Sequence, residues 1–284
     1  MTDADANHDG PNAEQAGFWS TGSGLDWVDR EADLDAAFAP VNNLIAAALP
    51  RAARRLLDIG CGTGATARHM LTREPQSGVT VHATDISDTL LAQAKASAAG
   101  LKGLSFALAD GQTADLGGPF DAVYSRFGVM FFSDPTAAFA NIRRAVSPGG
   151  TLAIACWGPF KENPWFTVPR FAATDRLGAP PPFDPRAPGP FAFSDADYTL
   201  GILQRAGWSD PQVTPADVTL SPRGGPVDLA DLVTQIGPAK VVIRERGGTA
   251  DDAAAIEAEV ARRFAAAYPD MSIPARLYLY TARA

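Results

Sequence analysis

Three glycines at alternating positions, Gly60, Gly62 and Gly64, interrupt the apolar stretch "LLDIGCGTGATARHM" at residues 56–70. Glycine tolerates backbone torsions closed to other residues and lets a ligand approach the main chain. The loop runs into a helix-like pattern, and the free N–H groups of a helix start favour an anionic or polar group. Three carboxylates stand near it in the pattern of strands. Asp58 lies inside the first strand, two residues before the loop. Asp85 ends the second strand, 25 residues after Gly60, where a carboxylate in a doubly wound sheet could accept hydrogens from a ribose diol. Asp110 ends the third strand and could accept from an adenine amino group. Taken singly, Asp85 reads equally as a turn residue and Asp110 as a cap. Their joint placement at the carboxyl edge of a sheet reads as a nucleotide crevice. The glycines alone also satisfy G-x-G-x-x-A, a nicotinamide-cofactor pattern, when Ala65 is counted.

The elements that must position these groups alternate along the chain. "RRLLDIG" is a short buried strand, followed by a helix from Ala65 to Glu74 that Pro75 closes. "VTVHATD" (79–85), "LSFALAD" (104–110), "FDAVYSRF" (120–127) and "TLAIACWG" (151–158) are the next four strands. Helices are expected over 87–100 and in "SDPTAAFANIRRAV", which opens with Ser133 or Asp134 as cap and Pro135 in the first turn. This rhythm predicts an α/β fold, a doubly wound sheet covered on both faces. Residues 159–194 break it with a proline-rich stretch, read as a rigid surface loop or a lid. Beyond it come a helix, a strand "QVTPADVTL", helical stretches at 227–236 and 251–268, and a final strand "ARLYLYTARA". Ahead of the first strand, apolar residues from Leu25 to Ala48 follow helical spacing, and Pro40 is expected to divide them into two helices.

Composition narrows the function. The first 35 residues hold nine acidic groups against Arg30 alone, which accounts for the whole net charge of −8. The remaining body is balanced, with no basic footprint for nucleic acid. Residues 1–17 are polar and acidic and read as a disordered tail rather than a signal peptide. No apolar stretch reaches the ~18 residues of a membrane span. Cys61 and Cys156 are far apart and lack metal-like spacing, which suits a reducing compartment. A cytoplasmic protein is expected.

The segments "LLDIGCGTG", "TDIS", "LAD" and "FDAVYSRFGVMFF", followed by the "PGG" before the fifth strand, resemble class I S-adenosylmethionine-dependent methyltransferases. The group that includes ubiquinone and menaquinone biosynthesis methyltransferases, with many small-molecule methylases, is the most similar. The resemblance covers about residues 18–160 well and the remainder only in general plan. It implies a seven-stranded, mostly parallel sheet with an antiparallel last strand inserted between the fifth and sixth. It implies a helical cap at 18–50 and a catalytic domain at 51–284, with inserted elements at about 159–194 and 222–274.

Carried onto this chain, the resemblance gives Asp58, Gly60, Cys61, Gly62 and Gly64 to the methionine end of S-adenosylmethionine. Asp85 would take the ribose hydroxyls, Ile86 would pack on the adenine, and Asp110 with Gly111 would meet the adenine edge. Ser125 and Arg126 would line the methionine moiety. S-adenosylhomocysteine would be the product.

The acceptor pocket should be apolar. Trp27, Phe127, Met130 and Trp157 are the substrate candidates, whereas Phe132 and Phe139 are expected in the core. No catalytic base stands out: His8 lies in the tail, His69 on a helix face, His82 within a strand, and Cys61 in the loop. Transfer by in-line displacement, driven mainly by proximity, to a small apolar or aromatic metabolite is the expected function. A nicotinamide-dependent oxidoreductase and a non-catalytic S-adenosylmethionine-binding regulator are the rivals, and a methylase of protein or RNA a further one. The protein is expected to work as a monomer or homodimer.

Overall fold

The computed structural model describes residues 10–72, 78–182 and 184–284. Its centre is a seven-stranded sheet in the order β3-β2-β1-β4-β5-β7-β6. The strands are β1 (Arg55–Ile59), β2 (Thr80–Asp85), β3 (Leu104–Leu108), β4 (Phe120–Arg126), β5 (Val146–Trp157), β6 (Ser209–Leu220) and β7 (Ile273–Arg283). The first five are mutually parallel, and β7 runs antiparallel to both β5 and β6. The antiparallel strand expected from "ARLYLYTARA" therefore sits between the fifth and sixth. The inner strands are apolar on both faces because helices cover both: Leu56, Leu57 and Ile59 of β1 and Leu152 to Trp157 of β5 are all buried.

Parallel pairing brings the carboxyl ends of β1, β2 and β4 to one edge. Leu57 is opposite His82 on β2 and Val123 on β4, so Asp58, Asp85 and Arg126 finish close to the same rim. The covering helices are α4 (Ala65–Thr72), α5 (Asp88–Ser97), α6 (Pro135–Arg144) and α8 (Ala196–Arg205). Local chemistry fixes where they start. Ser87 Oγ, Asp134 and Asp195 accept from Leu90, Ala137 and Tyr198 N–H, each closing an otherwise open first turn. Such a cap is worth about 1 kcal/mol.

Five features differ from the sequence expectation. Helix α1 (Ala13–Ser20) begins inside the expected tail, held because Asn12 and Ala16 are buried against the domain; residues 1–9 lie outside the described residues. Pro40 does not divide the next helices. The break falls at Arg30, between α2 (Gly22–Asp29) and α3 (Glu31–Ala48). Proline costs α3 one hydrogen bond, but Leu34, Ala37, Phe38, Val41 and Ile45 form a fully packed face that carries the helix through it. Strand β5 starts five residues early, taking in the "SPGG" turn, with a register shift against β4. The proline-rich region contains a full helix, α7 (Pro164–Leu177), with Pro164 at its first turn and Pro169 inside it.

The second inserted region holds three helices rather than two: α9 (Pro226–Ile236), α10 (Pro238–Glu245) and α11 (Ala250–Ala267). Ion pairs Arg30–Asp231 and Lys240–Asp26 tie the end of α2 and its C-cap to α9 and α10. Helices from the two ends of the chain thus meet over the rim of the sheet. Among the described residues, no helix is long and apolar enough to cross a membrane.

Candidate functional site

The glycine loop is held by what it touches. Gly60 has φ +66°, and a Cβ there would lie 2.7 Å from the Cα of Gly128 in the loop after β4. Ser125 Oγ laces these loops together, donating to Ile59 O at 2.7 Å and accepting from Gly128 N–H at 3.2 Å. At Gly62 (φ +57°) a Cβ would meet nothing within 4 Å, so this peptide borders open space. Gly64 answers a different need: its Cβ would lie 3.3 Å from Ala94 Cβ, the contact at which α4 packs on α5.

Asp85 is the clamp of the loop. One carboxylate oxygen accepts from Gly62 N–H at 2.7 Å and the other from Ser87 N–H at 2.9 Å. Burial raises its pKa above the usual carboxylate value, and these backbone donors pull it back. Asp110 is engaged by the N-terminal segment. The Asn12 amide donates to its two oxygens at 2.9 and 3.0 Å, while Asn12 Oδ1 accepts from Ser133 N–H at 2.8 Å. Gln112 N–H adds a further bond to Asp110 at 2.8 Å.

Asp58 differs from both. It is 1% exposed, and neither carboxylate oxygen has a hydrogen-bond partner. Burial pushes its pKa up to about 8, against the attraction of the nearby Arg126 guanidinium. The Tyr124 hydroxyl interacts with the same carboxylate without reaching hydrogen-bond geometry. Arg126 is held from behind by α3. Its guanidinium donates to Asn42 Oδ1 at 3.2 Å and lies 3.9 Å from Asp35, and Thr66 Oγ1 donates to the same Asn42 oxygen at 2.9 Å.

These groups border one cavity of about 440 Å³. Of the residues expected at a cofactor, Asp58, Gly60, Cys61, Gly62, Asp85, Ile86, Asp110, Gly111 and Arg126 line it. Gly64 and Ser125 do not: the first is taken up by helix packing, and the second lies fully buried behind the loop it supports. All four substrate candidates, Trp27, Phe127, Met130 and Trp157, line it. So does Phe132, expected in the core, because its ring closes over Gly111, 3.1 Å from where a Cβ would stand. Cys61 faces the cavity, but burial drives its thiol pKa well above the ordinary value, which removes the thiolate a nucleophile needs.

Much of the remaining lining is aromatic. Phe127, a non-glycine residue at φ +65°, stacks on Trp157 with centroids 4.5 Å apart and planes 5° from parallel. Phe38 touches Phe127, Trp157 and Trp165 at 5.5, 5.8 and 5.2 Å. Phe166 meets Trp157 at 4.8 Å and Phe191 at 4.9 Å. The N-terminal helices contribute Trp19 and Trp27, which contact each other edge to face at 5.9 Å.

Sequence reasoning misses Asn12, Gln15, Phe38, Arg170 and Phe191, along with the α9–α10 corner at Ile236 and Val241. Only Phe38 has a signal, as one aromatic on a helix face. Among the described lining residues there is no histidine, lysine, tyrosine or glutamate. Among the described residues no group of His, Cys, Asp and Glu could hold a metal.

Residues 57–154 match a family described as "Methyltransferase domain". The trans-aconitate 2-methyltransferase of Deinococcus radiodurans is 36% identical over 120 residues, 42% of this chain and 44% of that protein. The demethylmenaquinone methyltransferase of Thermus thermophilus is 34% identical over 143 residues, 49% of this chain and 58% of that protein. This chain thus spans about half the length of these curated relatives. In fold it is similar to Haemonchus contortus phosphoethanolamine N-methyltransferase 2, solved with S-adenosyl-L-methionine, at TM-score 0.52 and 19% identity. That match covers 86% of this chain and 52% of the other. The segment that matches this family, residues 57–154, holds the glycine loop and the strand ends described above, within a Rossmann-like α/β sheet.

Proposed function

We propose that this protein transfers the methyl group of S-adenosylmethionine to a small apolar or aromatic acceptor. The observation that carries the reading is the Asp58 carboxylate, buried, unpartnered and bordering a cavity whose far side is aromatic. A buried carboxylate left without donors is costly, and a cationic ammonium group supplies the missing partner. The methionine end of S-adenosylmethionine carries such a group. The open space at Gly62 leaves room for the main chain to be approached, and Asp85 beside it retains lone pairs for ribose hydroxyls. Ile86 offers an apolar face for the adenine, and Asp110 with Gly111 an acceptor edge. The donor set therefore fits this cofactor, and the relatives described above are named as methyltransferases. An antiparallel β7 departs from the all-parallel 3-2-1-4-5-6 order of dinucleotide-binding sheets.

S-adenosylmethionine supplies a carbon already activated by its sulfonium leaving group. The residues of this chain align and exclude water. Asp58, Asp85 and Arg126 fix one end, and the Phe127–Trp157 stack bounds the side from which an acceptor would approach. Holding two reactants in near-attack geometry is worth ~7–11 kcal/mol of barrier. The aromatic faces also suit a positively charged sulfonium. The described lining holds no histidine, lysine, tyrosine or glutamate, and this reading assigns its three carboxylates, Asp58, Asp85 and Asp110, to the cofactor, so it asks for an acceptor atom that attacks without first losing a proton. The two buried free cysteines fit a cytoplasmic setting.

Calorimetry with S-adenosylhomocysteine tests the reading directly. The wild-type chain should bind it and should not bind NAD or NADP. Asp85→Ala should weaken binding at least ~tenfold, because two charge-assisted acceptors are lost. Tight nicotinamide binding without S-adenosylhomocysteine binding would overturn it.

A further inference from the structure

Helix α1 bridges the turns that follow β2 and β3. At its start the Asn12 amide holds Asp110, as described above. At its end the carbonyls of Trp19 and Ser20 accept from Ser87 Oγ at 2.7 Å and Thr89 Oγ1 at 2.8 Å. Asp110 and Gly111 line the cavity beside the first anchor, and Ile86 and Leu90 line it beside the second. Gln15 stands between the two anchors and lines the same cavity. We propose that Gln15 is a specificity-determining residue for the cofactor: its amide pairs with the adenine, at the exocyclic amino group and a ring nitrogen next to it. The proposal rests on the S-adenosylmethionine reading and adds to it a side chain that recognises the base.

Two observations single out Gln15. Its Oε1 is buried and, among the described residues, has no hydrogen-bond partner. The polar groups next to it are spent on one another. Asp110 accepts from Asn12, from Gln112 N–H at 2.8 Å and from Thr113 Oγ1 at 3.4 Å, and the Asn12 amide also reaches Gln112 Oε1 at 3.1 Å. Burying an amide oxygen without a donor is unfavourable, and an adenine amino group supplies that donor. The helix face is also fixed. Gln15 and Trp19 are one turn apart, and the Trp19 ring meets Trp27 at 5.9 Å and Phe131 at 5.2 Å.

An amide offers a donor and an acceptor side by side. Adenine offers the complement, an amino donor flanked by ring-nitrogen acceptors, which is why glutamine and asparagine pair with this base. A carboxylate only accepts, so Asp110 can take an amino hydrogen but cannot satisfy a ring nitrogen. The amino group has two hydrogens, so Asp110 and Gln15 can each take one. The terminal torsion of glutamine is soft and close to two-fold, so the amide can turn its oxygen or its nitrogen to the ligand without moving α1.

Calorimetry on the full chain tests this with S-adenosylhomocysteine and its 1-deaza and 7-deaza analogues, in which one ring nitrogen beside the amino group becomes C–H. The wild type should bind S-adenosylhomocysteine at least ~fivefold more tightly than at least one analogue. Gln15→Met, similar in length but without the amide, should bind S-adenosylhomocysteine at least ~fivefold more weakly and bring that analogue to within ~twofold of it. Gln15→Glu keeps an acceptor but repels the ring-nitrogen lone pair, so it should bind that analogue the more tightly. Unliganded Gln15→Met should melt no lower than the wild type, because Oε1 has no bond to lose. A wild type that discriminates against neither analogue, or a Gln15→Met that keeps the full discrimination against both, would overturn the proposal and leave the cofactor reading standing. A wild type that does not bind S-adenosylhomocysteine at all would sink the cofactor reading itself.

Discussion

The rim and the chamber of the one cavity are built by different means. The rim is made of strand ends and bare backbone: Asp58, Gly60, Gly62 and Asp85 lie within 28 residues of one another. The chamber is made of side chains from segments far apart in sequence, Trp27 and Phe38 before the sheet, Trp165 and Phe191 after its fifth strand, and Val241 later still. A rim of this kind depends on torsions and donors, and at Gly60 it has no room for an added atom. A chamber of interlocking rings depends on volume and can be re-shaped one ring at a time. The same cofactor grip can thus coexist with a changed acceptor, which makes the rim the conservative half and the chamber the adaptable one.

Gly60→Ala should show the largest effect. An L residue at φ +66° costs about 1–2 kcal/mol, and the added methyl meets the Gly128 backbone at 2.7 Å. A loss of about 3 kcal/mol in urea unfolding is expected, with S-adenosylhomocysteine binding abolished. Gly62→Ala is the matched control. It shares the torsional cost at φ +57° but meets nothing, so it should lose only about 1–2 kcal/mol. Equal losses for the two would mean that the loops after β1 and β4 are not locked together, and the contrast between rim and chamber would weaken.

Asp58 gives the next effect, through pH. Its native pKa of about 8 stands above its ordinary value of 3.8. Between those values the folded protein keeps a proton that the unfolded chain has released, so stability should fall as pH rises from about 4 to about 8. Asp58→Asn cannot ionise and should remove that part of the slope, leaving the variant the more stable of the two at about pH 8. A cationic ligand should draw the proton off Asp58, so cofactor binding near about pH 7 should release protons, measurable by calorimetry in buffers of different ionisation enthalpy. Parallel melting-temperature profiles from about pH 5 to about pH 8.5 for wild type and variant would remove Asp58 from this role.

Much of the rim is legible in the sequence because strand ends and glycine turns are local patterns. A carboxylate two residues before a glycine loop, and another at the next strand end, are fixed by short-range geometry that residue spacing records. Ser125 and Gly64 look the same by that criterion, yet they sit behind the loop, since spacing does not say which side of a turn a side chain faces. The chamber is only partly legible. Phe127, Met130 and Trp157 follow the fourth and fifth strands and can be placed. Arg170 cannot, because its position needs α7, and two prolines in that helix mask its periodicity. The helix through Pro40 escapes for a related reason, local preference losing to a buried face.

Asn12 joins the two halves and is invisible to pattern, being one amide in an acidic, polar stretch. It is 3% exposed and makes the bonds to Asp110 described above, another to Gln112 Oε1 at 3.1 Å, and one from Ser133 N–H. Its replacement by alanine should cost about 1–3 kcal/mol locally, since Asp110 and Ser133 lose their partner. Global unfolding should shift less, because the Asn12 partners Asp110, Gln112 and Ser133 all lie outside the strands of the sheet. Amide hydrogen exchange should report the change instead, faster by about tenfold over Ala13–Asp29 and unchanged on β1 and β4. The Asn12 amide and an adenine amino group would both donate to Asp110, so the variant should bind S-adenosylhomocysteine somewhat more tightly, by less than ~tenfold. Weaker binding would mean that Asn12 closes over an occupied rim rather than competing for it, which would add Asn12 to the grip itself.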